Sequence, residues 1–214
     1  MNLFAPVAVS SDVPAGDGER LPASVVKILD GALRAISSRG VRRLSMSDIS
    51  VESGVSRATL YRYFPTKEQV LAAVSEFVSM GFEGGVREAA EQHPDPIERF
   101  RAVMRFFAQF TVERTPERIF ELEPGFHLDF FRSHFARHKT AVRDALAPSF
   151  DHLDRLRSAP VDRDAIVEAL VRMQLSTLIV PASPAWSKLW EATPDVLQQT
   201  LLHLADSTNA IEEN

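Results

Sequence analysis

The sequence predicts an all-α protein, with a small N-terminal helical domain ahead of a larger one. Three observations predict it. Apolar residues recur at three- and four-residue spacing from Ser24 onward. Strand-like alternation never lasts more than a few residues. Gly, Pro and Ser/Thr capping residues divide the pattern at helix lengths.

Residues 1–22 are rich in Pro, Gly, Ser and Asp and read as a disordered leader, with no Lys or Arg before Arg20. The first helix is carried by Val25, Ile28, Leu29, Ala32, Leu33 and Ile36, with Gly40 as its stop. Ser45, with Asp48 three residues on, caps a short helix that places Met46 and Ile49 inward and ends near Gly54. Ser56 caps a second short helix, residues 57–64, which Pro65 and Thr66 break. Thr66 and Gln69 form another capping pattern and launch a longer helix through Val70, Leu71, Val74, Phe77 and Val78.

Beyond this run, Pro94 and Pro96 precede a helix to about Glu113, and Pro116, Pro124 and Gly125 mark an irregular connection. A long amphipathic helix is expected over 126–146, ended by Pro148. An apolar helix follows from Asp162 to about Val180, then a loop with Trp186 and Trp190, then a last helix from Pro194 to about Ala205. The domains expected are a leader (1–22), a helix-turn-helix domain (23–68) and a helical regulatory and dimerisation domain (69–214).

Composition narrows the function classes. The 214 residues hold no cysteine, which excludes disulfides and thiolate metal sites. No run reaches the roughly 18 apolar residues a membrane-spanning helix needs, and no basic segment precedes an apolar one at the N-terminus, so a cytoplasmic location is expected. The net charge of −5 conceals a basic segment: residues 20–67 carry nine Lys and Arg against three acids. A basic module on an acidic body suits a nucleic-acid-binding domain joined to a separate regulatory one.

The informative stretch is Ser45 to Lys67, where two short helices meet at a turn holding Gly54. The second helix carries Arg57, Thr59, Tyr61 and Tyr63, with Leu60 and Phe64 on its buried side. This is the form of a recognition helix, whose N-terminal residues meet base edges in the major groove. Arg57 suits guanine, Thr59 a thymine methyl or a phosphate, and the hydroxyls of Tyr61 and Tyr63 phosphate oxygens. Lys67 lies at a helix N-terminus, which already favours an anion, and Ser45, Ser47 and Ser56 add hydroxyls beside the backbone.

Here the sequence resembles the TetR family of transcriptional regulators. The matching residues are Ile49, Gly54-Val55-Ser56, Thr59 through Phe64, and Lys67-Glu68, at the family's spacing from the first helix. Ser50 and Ser53 stand where the family usually has alanine, and Leu44 where a hydroxyl is usual. The resemblance implies a homodimer, with the last two long helices forming a four-helix bundle with their mates. The candidate stripes are Ile166, Leu170, Met173 and Thr177, then Val196, Leu197, Thr200, Leu201 and Leu204. It also implies a palindromic double-stranded DNA operator, repression, and an inducer cavity in the middle helices, with no cofactor and no catalysis.

Those middle helices are rich in Phe, which suits either an ordinary core or a pocket for a small, largely apolar effector. Phe107, Phe110, His127 and Phe131 are the candidates with polar neighbours. His127, His134 and His138 share one helical stripe, but with no carboxylate on it they read as boundary residues rather than metal ligands. Neither a phosphate loop nor a nucleophile elbow is present, so an enzyme is not expected. The alternative function is a helical ligand- or protein-binding module whose DNA head has lost its activity.

Overall fold

The computed structural model describes residues 14–15, 19–114, 124–157, 160–179 and a few positions between 185 and 199. Within the leader, Pro14–Ala15 pairs antiparallel with Glu19–Arg20. Eight long or short helices follow among the described residues: α1 (Ala23–Arg39), α2 (Met46–Ser53), α3 (Arg57–Tyr63), α4 (Lys67–Glu91), α5 (Pro96–Arg114), α6 (Pro124–Ala145), α7 (Ala147–Arg157) and α8 (Arg163–Ile179). Residues 192–196 are also helical. The fold is all-α, as the periodicity predicts.

The chain divides into two compact units, one formed by residues 1–84 with 113–134 and the other by residues 85–112 with 135–214. In the first, Ile28, Ile49, Leu60, Val70 and Phe77 meet in one fully buried cluster. Each contributes about 1.5–3 kcal/mol by leaving water. The cluster draws residues from each of α1 to α4, with a single fully buried one from α2 and one from α3, so these short helices are held by tertiary packing. Gly31 makes a tight approach to backbone: a Cβ there would lie 2.5 Å from the backbone of Ser53. Only a residue without a side chain lets the end of α2 rest on α1.

In the same unit, α6 begins at Pro124 where an irregular connection was expected. Proline suits the first turn, which needs no N–H. His134 is 6% exposed rather than a boundary residue, and His138 is buried too. The Nδ1 of His134 lies 2.8 Å from the Phe130 carbonyl and its Nε2 lies 3.1 Å from Glu76 Oε1 on α4. The supporting carboxylate comes from another helix, 58 residues away in sequence.

The second unit buries Phe100, Phe107, Leu146, Phe150, Leu153 and Val167. Phe100 and Phe150 meet edge to face at 6.3 Å, an arrangement that aligns a ring's positive edge with its neighbour's negative face. Pro148 does not end a helical region: α7 starts beside it, with Pro148 in its first turn. The α7–α8 connection is latched by charge. Arg163 donates to Asp151 at 2.7 Å and to Asp154 at 2.5 Å, and Asp154 also accepts the Val161 backbone N–H at 2.6 Å. The bonds from Arg163 and Val161 hold the Asp154 carboxyl below the usual carboxylate range.

The expected loop and turn around Trp186 lie largely outside the described residues, as do Leu197, Thr200, Leu201, Leu204 and the end of the last helix.

Candidate nucleic-acid interface

Two short capped helices build the site. Ser45 starts α2: its hydroxyl accepts the Asp48 backbone N–H at 3.2 Å, and its own backbone N–H donates to Asp48 Oδ2 at 3.0 Å. The Ser45 hydroxyl also donates to Asp48 Oδ2 at 2.6 Å, and Arg39 of α1 pairs with the same carboxylate. The bonds from Ser45, aided by Arg39, keep the Asp48 carboxyl below its ordinary value. The Ser45 hydroxyl is therefore engaged in capping, and a phosphate contact would have to displace Asp48 from it.

Gly54 ends α2 in the left-handed conformation, φ 66° and ψ 16°, where a side chain would be strained. Ser50 and Ser53 tie the turn together. Ser50 donates to the Val55 carbonyl at 2.7 Å, and the Val55 N–H reaches Ser53 Oγ at 3.3 Å. These are the two positions where the sequence departs from alanine, and both hydroxyls serve the turn. Leu44, the third departure, is buried in the core cluster.

Ser56 then caps α3, accepting the Thr59 N–H at 3.2 Å while its hydroxyl donates to Thr59 Oγ1 at 3.0 Å. Helix α3 carries the predicted reading residues. Leu60 is fully buried and fixes the helix, and Phe64 packs partly buried against the same cluster. Arg57 is exposed, Tyr61 is 50% exposed, and Thr59 is half-buried. Tyr63 is half-buried against the core, with the Arg62 guanidinium 4.9 Å above its ring.

Arg57 Nη2 donates to Ser47 Oγ at 2.7 Å, joining the starts of the two helices. Lys67, the first residue of α4, turns back on the head and donates to the Val41 carbonyl at 3.4 Å. Arg42 and Arg43 are exposed in the turn after Gly40. The sequence did not single out Gly31, Arg39 or the Ser47–Arg57 bond.

The four residues expected at an effector site fall in different units. Phe107 is fully buried, its ring edge-on to Trp190 at 5.7 Å, and Phe110 stacks at a tilt on Phe106 at 5.4 Å. His127 and Phe131, both half-buried, belong to the unit that holds the head; His127 meets Phe126 at 5.5 Å and Phe131 meets Phe130 at 5.6 Å. Among the described residues, no group of three or more His, Asp or Glu side chains could hold a metal ion, and no helix is long and apolar enough to cross a membrane.

A buried cluster from α1 to α4 that presents Arg57 and Tyr61 on a Leu60-anchored helix has the architecture of a helix-turn-helix DNA-binding domain. Residues 28–74 match the model of the family of bacterial regulatory proteins called the tetR family, so the head of this chain is similar to the domain that family shares. The nucleoid occlusion factor SlmA of Vibrio vulnificus strain YJ016 is 30% identical over 80 residues, covering 37% of this chain and 40% of that protein. The SlmA of Vibrio campbellii is 31% identical over the same length. The match thus spans well under half the length of these curated relatives.

Solved structures share the wider fold. The TetR-family regulator PfmR from Thermus thermophilus superposes with a TM-score of 0.53 at 23% identity, covering 80% of this chain and 97% of that one. AibR in complex with isovaleryl coenzyme A and operator DNA gives 0.55 at 23% identity, covering 84% and 98%.

Proposed function

We propose that this protein is a transcriptional regulator, a repressor that binds a palindromic operator as a homodimer and leaves it when a small, largely apolar effector binds the helical body. One observation carries the reading. Helix α3 keeps Arg57 and Tyr61 at the surface while Leu60 is fully buried beneath them. A helix so anchored can enter a major groove without disturbing its own domain, and Arg57 can fork onto guanine O6 and N7. The remaining head contacts proposed are Ser56, Thr59, Tyr63 and Lys67, with Ser45 acting through its cap and Ser47 through its bond to Arg57.

The homodimer follows from how little area one head buries on DNA. In a pair, the two recognition helices would meet successive major grooves about 34–36 Å apart. Among the described stripe residues, Met173 on α8 and Val196 are apolar and exposed, Ile166 is half-buried, and Leu170 and Thr177 are buried. Phe107 and Phe110 in one unit, and His127 and Phe131 in the other, remain proposed effector residues, each pair within its own unit. Release requires that the effector favour the form that does not bind DNA, and coupling of about 1–3 kcal/mol weakens binding roughly 5- to 150-fold.

The test is a gel shift of the purified protein on DNA from its own upstream region, alongside Arg57→Ala combined with Tyr61→Phe. A DNA-binding regulator loses operator affinity in the double variant while its circular dichroism and melting stay unchanged. Equal behaviour of the two proteins would favour a ligand- or protein-binding module with an inactive head.

A further inference from the structure

The first turn of α2 is fixed from both sides, by the Ser45–Asp48 box and by Arg39 on that carboxylate. The start of α3 is fixed by Ser56. Ser47 and Arg57 lie in these two rigid turns, and the 2.7 Å bond from Arg57 Nη2 to Ser47 Oγ closes across the Gly54 turn. A flexible, exposed arginine is thereby held to one side of the reading helix in the DNA-free head.

We propose that Ser47 is a positioning residue for Arg57: it holds the guanidinium ready for a base edge, and it acts on DNA through Arg57 rather than as an independent phosphate contact. The inference rests on the proposed reading of α3 as the recognition helix. The hydrogen-bond count permits it. A guanidinium has five N–H donors, one goes to Ser47, and a bidentate guanine contact takes two more. The physical gain is pre-organisation, since a side chain ordered before binding loses less freedom on binding. The Ser47 oxygen accepts the Arg57 bond, so the hydroxyl can remain in place when the base contact forms.

A double-mutant cycle on the full-length protein tests this, using a duplex selected from a random pool and, beside it, an unselected duplex. The variants are Ser47→Ala, Arg57→Ala, the pair, and Ser47→Thr, each checked for an unchanged melting curve. Ser47→Ala is expected to weaken binding to the selected duplex by about 3- to 10-fold, the worth of one hydrogen bond, and to leave the unselected duplex unaffected. It is expected to change nothing further once Arg57 is alanine, and Ser47→Thr is expected to restore affinity. An equal loss in the Arg57→Ala background, or on both duplexes, would make Ser47 a separate backbone contact and overturn the proposal. No loss at all would also overturn it and leave the reading of α3 intact. If Arg57→Ala itself binds the selected duplex normally, the reading of α3 fails and the inference goes with it.

Discussion

The head and the second unit are stabilised by different physics. The head is held chiefly by local hydrogen bonds at helix ends, one of them backed by Arg39 on Asp48, by two glycines of positive φ and by a cluster of Ile, Leu, Val, Ala and Phe. The second unit is held by bulky aromatic packing and by Arg–carboxylate latches such as Arg163 with Asp151 and Asp154. The difference teaches where function can be read from sequence. Caps and turns are short-range and leave a pattern, whereas rings and latches join residues whose spacing carries no rule.

The largest expected effect sharpens the contrast from the side of the second unit. Phe107→Ala removes a fully buried ring packed on Trp190, and it should cost about 3–5 kcal/mol in chemical denaturation. A loss below about 1 kcal/mol would mean that Phe107 faces a ready cavity, and would strengthen its proposed place at an effector site. Next is Gly31→Ala in the head. The added Cβ drives α1 from the Ser53 backbone, and the expected cost is about 1–3 kcal/mol despite alanine's better helix propensity. Melting should show the head loosening; an unchanged or raised melting temperature would show that α2 can slide aside.

Gly54→Ala comes third. Its surroundings leave room for a Cβ, so only the left-handed backbone resists, at about 1–2 kcal/mol. A cost near zero would show that the turn relaxes to another conformation. The smallest effect is in acid. Asp48 in the head and Asp154 and Glu168 in the second unit are all held below their ordinary values. A carboxylate whose folded value lies under its unfolded one, near ~4, adds stability that is complete above that pH and is lost as pH falls through the folded value. The share of stability that these three carboxylates add should therefore be complete down to about pH 5 and be lost below about 4. Ser45→Ala, which removes the largest cause of the Asp48 depression, should soften the head's share of that decline.

The legible parts of the fold follow the same division. Ser45 with Asp48, Gly54 and Ser56 announced α2, the turn and α3 nearly to the residue, because each device acts within a few positions. Helix α7 was missed because Pro148 reads as a stop, while a first-turn proline needs no hydrogen-bond donor. Glu76 could not have been tied to His134, nor Gly31 to Ser53, since both contacts are made by tertiary folding. Residue types alone could suggest the reading face, but not that the Arg57 guanidinium is already held by Ser47 or that Lys67 turns toward Val41.

If a charged head grips the DNA backbone while α3 reads the bases, affinity must depend on salt. Equilibrium binding of the full-length protein to its upstream DNA, measured across a salt series, tests it most directly. The logarithm of affinity should fall linearly and steeply with the logarithm of salt concentration, with a slope of about −0.9 for each phosphate neutralised. An affinity that stays level across the series would contradict it.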